Sequence, residues 1–289
     1  KEIPILIPPL PEQQKIAEIL ETVDRAIEKT DKIIEKYKRI KQGLMQDLLT
    51  KGIDENGKIR SEKTHKFKNS PLGRIPEEWE VVRAEEVFYL ITDYVANGSF
   101  ATLKKNVVYS EIEDYAILIR LIDFNNDFKG PFIYVNKSAY DFLIKTKLVP
   151  EDIIISNVGA YAGLVFKVKN INKPMTLGPN AILVRTNQIR DFIYYWLKSN
   201  IGQNCIQLII SITAQPKFNK TDFRKLLIPL PPLPEQQRIA EILSQIDNTI
   251  EKEEAYKQKL ERIKKGLMED LFTGRVRVNK LIKEVKNEK

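Results

Sequence analysis

Side chains that pair a hydrogen-bond donor with an acceptor recur in loop-like stretches of this sequence, beside lysines and aromatic residues. These stretches are Asn97-Gly98-Ser99, Lys104-Lys105-Asn106, Asn157 ahead of Gly159-Ala160-Tyr161-Ala162-Gly163, Asn180, and Thr213-Ala214-Gln215-Pro216-Lys217-Phe218-Asn219-Lys220. Reading a base edge requires paired donors and acceptors, and holding a phosphate requires Lys or Arg. The candidate DNA-binding residues are therefore Asn97, Ser99, Lys104, Lys105, Asn106, Asn157, Tyr161, Asn180, Thr213, Gln215, Lys217, Asn219 and Lys220. Taken singly, each suits a turn or a helix cap equally well, because short polar side chains bond nearby backbone.

Other chemistries find little support. The single cysteine, Cys205, and the single histidine, His65, exclude a disulfide framework and any zinc site built from several Cys or His of this chain. Gly52-x4-Gly57-Lys58 imitates a phosphate-binding loop, but Ile59 stands where Ser or Thr is needed and a helix precedes it instead of a strand. No Asn/Asp-Pro-Pro-aromatic tetrapeptide of an amino-methyltransferase occurs, nor a nucleophile elbow. Asp93, Asp123 and Asp127 read as caps and turn residues. No catalytic residue, metal or cofactor is expected.

Charge sharpens the nucleic-acid reading. The formal net charge is +8. Residues 53 to 155 hold 14 basic and 17 acidic side chains, whereas residues 156 to 225 hold 10 basic and 2 acidic. Such a block is the footprint expected of a phosphate-binding surface.

The elements that must position these residues emerge from a repeat. Pro8-Pro9-Leu10-Pro11-Glu12-Gln13-Gln14 returns 223 residues later as Pro231 to Gln237, and 26 of the 43 positions from 8 to 50 are identical to those from 231 to 273. Each copy reads as a long helix, with proline at its start and Glu at the positive end of the helix dipole. Leu20, Val23, Ile27, Ile34, Tyr37, Leu44 and Leu48 keep a 3-4 spacing, interrupted at Thr30 and Lys41. In the second copy the interruptions fall on Glu253, Lys257 and Lys264. Gly43 and Gly266, inside the helical pattern, hint at close approach of the two helices. The order of parts makes the pair antiparallel.

Between the copies, β-branched and aromatic runs at Tyr115–Leu121, Asp152–Ser156, Leu164–Val168 and Ala181–Arg185 read as strands, and Ser138–Lys145 and Ile189–Asn200 as helices. The expected fold class is α+β: a mixed α/β globular domain flanked by two long helices in an antiparallel coiled-coil stalk. Its parts are a helix at 1–52, a linker at 53–70, the globular domain at 71–230, a second helix at 231–277 and a basic tail at 278–289.

These motifs resemble the type I restriction-modification specificity subunits. The resemblance rests on the twice-present Pro-Leu-Pro-Glu-Gln-Gln-(Lys/Arg)-Ile-Ala-Glu-Ile-Leu, on Ser156-Asn157-Val158-Gly159, on Pro174-Met175-Thr176-Leu177-Gly178-Pro179-Asn180-Ala181 and on Ser211 to Pro216. It implies a non-catalytic subunit that reads half of a bipartite target in double-stranded DNA. Modification (methyltransferase) subunits and, through them, a restriction subunit would be its partners. One recognition domain where that family carries two implies a carboxyl half or a short half subunit, able to pair with a second copy. A coiled-coil adaptor that binds another protein is the alternative, and a self-sufficient methyltransferase or nuclease is disfavoured by the missing motifs. No run of 18 apolar residues and no signal pattern at Lys1-Glu2-Ile3-Pro4 make a cytoplasmic location the expectation, with no membrane partner.

Overall fold

The structure is a computed structural model and describes residues 7–211 and 215–282. In chain order its elements are α1 (Leu10–Leu48), β1 (Phe67–Ser70), β2 (Gly73–Pro76), β3 (Glu80–Arg83), α2 (Ala84–Val87), β4 (Phe88–Asp93), α3 (Phe100–Asn106), β5 (Ala116–Ile119), α4 (Leu121–Asn125), β6 (Ile133–Val135), α5 (Lys137–Phe142), β7 (Lys147–Leu148), β8 (Ile153–Ser156), β9 (Val165–Lys167), β10 (Met175–Leu177), β11 (Ala181–Thr186), α6 (Arg190–Lys198), α7 (Asn200–Ile209), α8 (Lys220–Arg224), β12 (Leu227–Leu230) and α9 (Leu233–Phe272). Two compact units result, one from 1–43 with 244–289 and one from 44–243.

The first unit is a helical pair. Lys41 meets Asp247, Lys38 meets Glu254, Asp31 meets Lys257 and Asp24 meets Lys264, so one number rises as the other falls and the helices run antiparallel. Three of the interruptions of the apolar seam are explained by these pairs. Lys41, Lys257 and Lys264, charged where a Leu or Ile would sit, each reach a carboxylate on the facing helix. Thr30 is buried there and returns its hydroxyl to Ala26 O. Asp24 and Lys41 are the repeat twins of Asp247 and Lys264, so one ion pair is made twice, once in each direction. Gly43 and Gly266 correct the sequence reading: a Cβ at either would meet nothing within 4 Å, so no close approach requires them.

The second unit holds two four-stranded sheets, β6-β5-β10-β7 and β4-β11-β8-β9, with two-stranded pairs β1-β2 and β12-β3. Only β5 and β10 run parallel within the first sheet, while every pairing in the second is antiparallel. The unbroken run Ile153-Ile154-Ile155 shows why β8 and β11 lack polar alternation. Ile153, Ile155, Ile182 and Val184 face one core with Trp79, Phe192, Trp196 and Phe223, whereas Ile154 and Leu183 face another with Ile117, Met175 and Leu177. A sheet covered on both sides must be apolar on both. The strands and helices expected from sequence coincide with β5, β8, β9, β11, α5 and α6 to within a few residues.

The span expected as a linker is built into this unit. Glu235, 8% exposed, accepts from Ile53 N at 2.9 Å, from both terminal nitrogens of Arg60, and from Trp79 Nε1 at 3.2 Å. Gly52, with φ of 64°, turns the chain so closely past Glu235 that a Cβ would clash. Gln236, 1% exposed, receives Ile189 N and donates to Gln188 Oε1 and Pro231 O. The Gly52-to-Lys58 segment is a turn in which Asp54 accepts from Lys58 N and, more weakly in effect, from Asn56 N, bonds that hold its carboxyl below the usual range against burial.

Candidate nucleic-acid interface

One end of the sheet β4-β11-β8-β9 gathers most of the residues singled out from sequence. Register places Asp93 opposite Ile182 and Ser156 opposite Ala181, so the chain leaves β4, leaves β8 and enters β11 at the same end. Asn157 N donates to Asn180 O, and Gly159 N to Pro216 O. Bridges from Lys217 to Val158 and to Ser211 bring the segment around residues 215–220 alongside. Lys220 returns to the same end, its ammonium 2.7 Å from Asp93 Oδ1.

Within this cluster the side chains divide by what they already hold. Tyr161 is 52% exposed on a turn, and Asn180 is exposed with φ of 70°, a left-handed conformation that Asn tolerates. Lys217 is exposed, and so is Gln215, which makes a contact of its own. Asn157 is committed to the fold through Nδ2, which donates to Phe218 O at 3.2 Å, while its buried Oδ1 has no hydrogen-bond partner among the described residues. Asn219 caps α8 through Asp222 N. Thr213 lies outside the described residues.

The segment after β4 carries the rest. Asn97 is structural: Nδ2 donates to Tyr94 O and Thr146 Oγ1, and Oδ1 accepts from Lys145 N. Ser99 caps α3 and Asn106 donates to Thr102 O. Lys104 and Lys105 are exposed in the last turn of α3 and make no ion pair among the described residues. As expected for a cap, Asp93 accepts from Ala96 N, and Asp123 accepts from Arg120 N.

The basic block of residues 156 to 225 is less free than its count implied. Lys167 meets Asp191 and Glu151, Lys169 meets Asp127, Lys173 meets Glu113, Arg185 meets buried Asp152, and Lys220 meets Asp93. Burial works to lower the Lys167 ammonium's pKa, and its two carboxylates more than reverse it. Asp152 likewise raises the Arg185 guanidinium. Much of the acidic excess of residues 53 to 155 therefore neutralises the basic excess next to it. Lys217, Arg224 and Lys225 are exposed and outside those pairs.

Sequence reasoning passed over a group of aromatics at this end. Tyr94 follows Asp93 directly, and Tyr109 donates its hydroxyl to that of Tyr94 at 3.1 Å. Burial, together with this bond, pushes the Tyr94 phenol above its usual range. Phe100, 81% exposed, opens a hollow with Tyr94, Leu103, Lys104, Tyr109 and Pro179. The available signal was an aromatic residue immediately after the cap Ser99, four residues before the Lys pair.

The chain is similar to known proteins in sequence and in fold. The family described as "Type I restriction modification DNA specificity domain" matches residues 1–38 and 76–262. The type I restriction enzyme MjaVIII specificity subunit of Methanocaldococcus jannaschii is 32% identical over 297 residues, a match covering 97% of this chain and 64% of that protein. Two solved structures share the fold. The HsdS subunit from Thermoanaerobacter tengcongensis has a TM-score of 0.54 at 20% identity, covering 94% of this chain and 61% of its own. The type I restriction-modification S subunit from M. genitalium has 0.56 at 17%, covering 90% and 60%. The chain thus spans less than two thirds of the length of each of these three proteins.

Proposed function

The chain belongs to the family of type I restriction-modification DNA specificity domains, and on that premise we propose that it reads one half of a bipartite target in double-stranded DNA without catalysing a reaction. One observation carries this reading: Tyr161, Asn180, Gln215 and Lys217 converge at a single end of the sheet β4-β11-β8-β9, joined there by Lys104 and Lys105. Exposed lysines supply phosphate contacts, and exposed Asn and Gln carry the donor and acceptor groups a base edge requires. The relative from Methanocaldococcus jannaschii is named a type I restriction enzyme specificity subunit.

The helical pair would hold modification subunits and, through them, a restriction subunit. Ile40 and Ile263 are twins in the repeat, and both stay exposed, at 39% and 43%. Two equivalent apolar points suit one partner bound twice. A second copy of the chain is a further partner in this reading, and light scattering at high concentration that shows only monomer removes it.

Titrating the full chain with labelled duplexes at rising salt tests the central claim. Affinity is expected to fall steeply, by a slope of roughly −0.9 per phosphate neutralised. A protein that ignores duplex DNA, or binds it with no salt dependence, is no DNA reader. It would then be an adaptor for another protein.

A further inference from the structure

We infer that Phe100, with Tyr109 and Pro179, receives the methyl-bearing edge of a thymine in the bound duplex and so specifies one position of the target. This rests on the reading of the sheet end as the DNA face. Three observations lead to it.

The first is exposure: Phe100 is 81% exposed on α3, while Leu103 one turn later is buried and anchors the helix. Phe100 thus leaves apolar surface in water that the fold does not require. The second is shape. Tyr94, Phe100, Leu103, Val107, Tyr109 and Pro179 line an open hollow of about 390 Å³. Apart from Lys104 its walls are apolar, and the two tyrosine hydroxyls are turned on each other. A surface of this kind favours a methyl group over a hydrogen-bonding edge, and thymine carries the one methyl in the major groove.

Position and charge supply the third. Pro179 precedes Asn180 and Tyr94 follows Asp93, the partner of Lys220, so the hollow adjoins the proposed reading edge. Lys104 lines it too and Lys105 stands beside it, both without an ion pair among the described residues. They can hold the phosphates flanking the base that Phe100 meets.

The test is binding of a randomised duplex pool by the full chain, followed by replacement of each preferred thymine with deoxyuridine, which removes only the methyl. Wild type is expected to prefer thymine at one position and to bind about fourfold more weakly there when the methyl is absent. Phe100→Ala should abolish both the preference and the deoxyuridine penalty while binding unrelated duplex within about twofold of wild type. Phe100→Leu, which keeps an apolar side chain, should retain most of both. Wild type indifferent to deoxyuridine at every position overturns the inference without any variant. So does a Phe100→Ala protein that keeps the full thymine preference. Absence of any sequence preference in wild type instead removes the DNA reading itself, and this inference with it.

Discussion

Glu12 and Glu235 are the same residue of the repeat, and each holds an arginine that lies beyond the carboxyl end of the opposite long helix. Glu12, at the start of α1, takes Arg277 in a two-point grip at 2.8 and 2.7 Å and accepts Val278 N. Glu235, at the start of α9, takes Arg60 and accepts Ile53 N. The motif Pro-Leu-Pro-Glu-Gln-Gln is thereby a device for tying down the segment that leaves a helix. Its Gln helps set the helix start, since Gln13 donates to Pro8 O as Gln236 does to Pro231 O.

Removing Glu235 leaves Arg60 charged and 10% exposed, and leaves Trp79 Nε1 and Ile53 N without their acceptor. Breaking a buried pair from one side costs about 3–5 kcal/mol. Glu235→Ala should therefore lower stability by that order in denaturant melts. The repeat makes the contrast informative: Arg277 is 56% exposed, so water can compensate it, and Glu12→Ala is expected to cost markedly less. Equal destabilisation by the two variants would show that burial does not set the difference.

Acid tests the Glu12 end in another way. The Arg277 guanidinium holds the Glu12 carboxyl below its usual value of 4.5, with Val278 N helping against the opposing effect of burial. A carboxyl whose folded pKa lies below its unfolded one adds stability above the unfolded value and loses it as pH falls through the folded value. Stability of the wild-type chain should accordingly decline on acidification below about pH 4.5. Glu12→Gln should flatten that part of the profile, and an unchanged acid limb would count against the assignment.

Local pattern revealed what local pattern controls. The helices were legible because apolar spacing and proline caps act within a few residues, and β8 and β11 because burial on both faces removes polar alternation. The imperfect seam was visible as Lys41, Lys257 and Lys264, but their partners lie on the other helix and only the antiparallel register names them. Charge misled for the same reason: counting along the chain separates Arg185 from Asp152 and Lys220 from Asp93, which the fold brings together. Gly43 suggested a close approach and has open space. Phe100 was passed over, because a sequence does not say which side of a short helix meets solvent.

The doubled ion pair invites a charge swap. Lys41→Glu puts an acid face to face with Asp247, and Lys264→Glu does the same with Asp24. Each single reversal should cost about 1 kcal/mol, at the upper end for partly exposed pairs. Adding Asp247→Lys to the first, or Asp24→Lys to the second, should restore most of the stability. A double-mutant cycle at each site measures this, and coupling near zero at both would mean that the seam's apolar residues alone set the register.

Lys217 and Lys220 lie three residues apart and should behave differently on DNA. Lys217 is exposed, and its backbone bridges to Val158 and Ser211. Lys220 is partly buried, and its charge is answered by Asp93, whose same oxygen caps the turn after β4 through Ala96 N. Lys217→Ala should thus weaken binding to all duplexes alike and lower the slope of log affinity against log salt by about 1, as expected when one phosphate is no longer neutralised. Lys220→Ala should leave the salt slope nearly unchanged and instead lower stability, because Asp93 remains as an unpaired carboxylate 15% exposed. Asp93→Asn together with Lys220→Ala should recover part of that stability, since the capping oxygen stays and the charge goes. Salt titrations and thermal melts of the three proteins decide the matter. A salt slope lower by a full unit in Lys220→Ala would instead place that lysine on a phosphate.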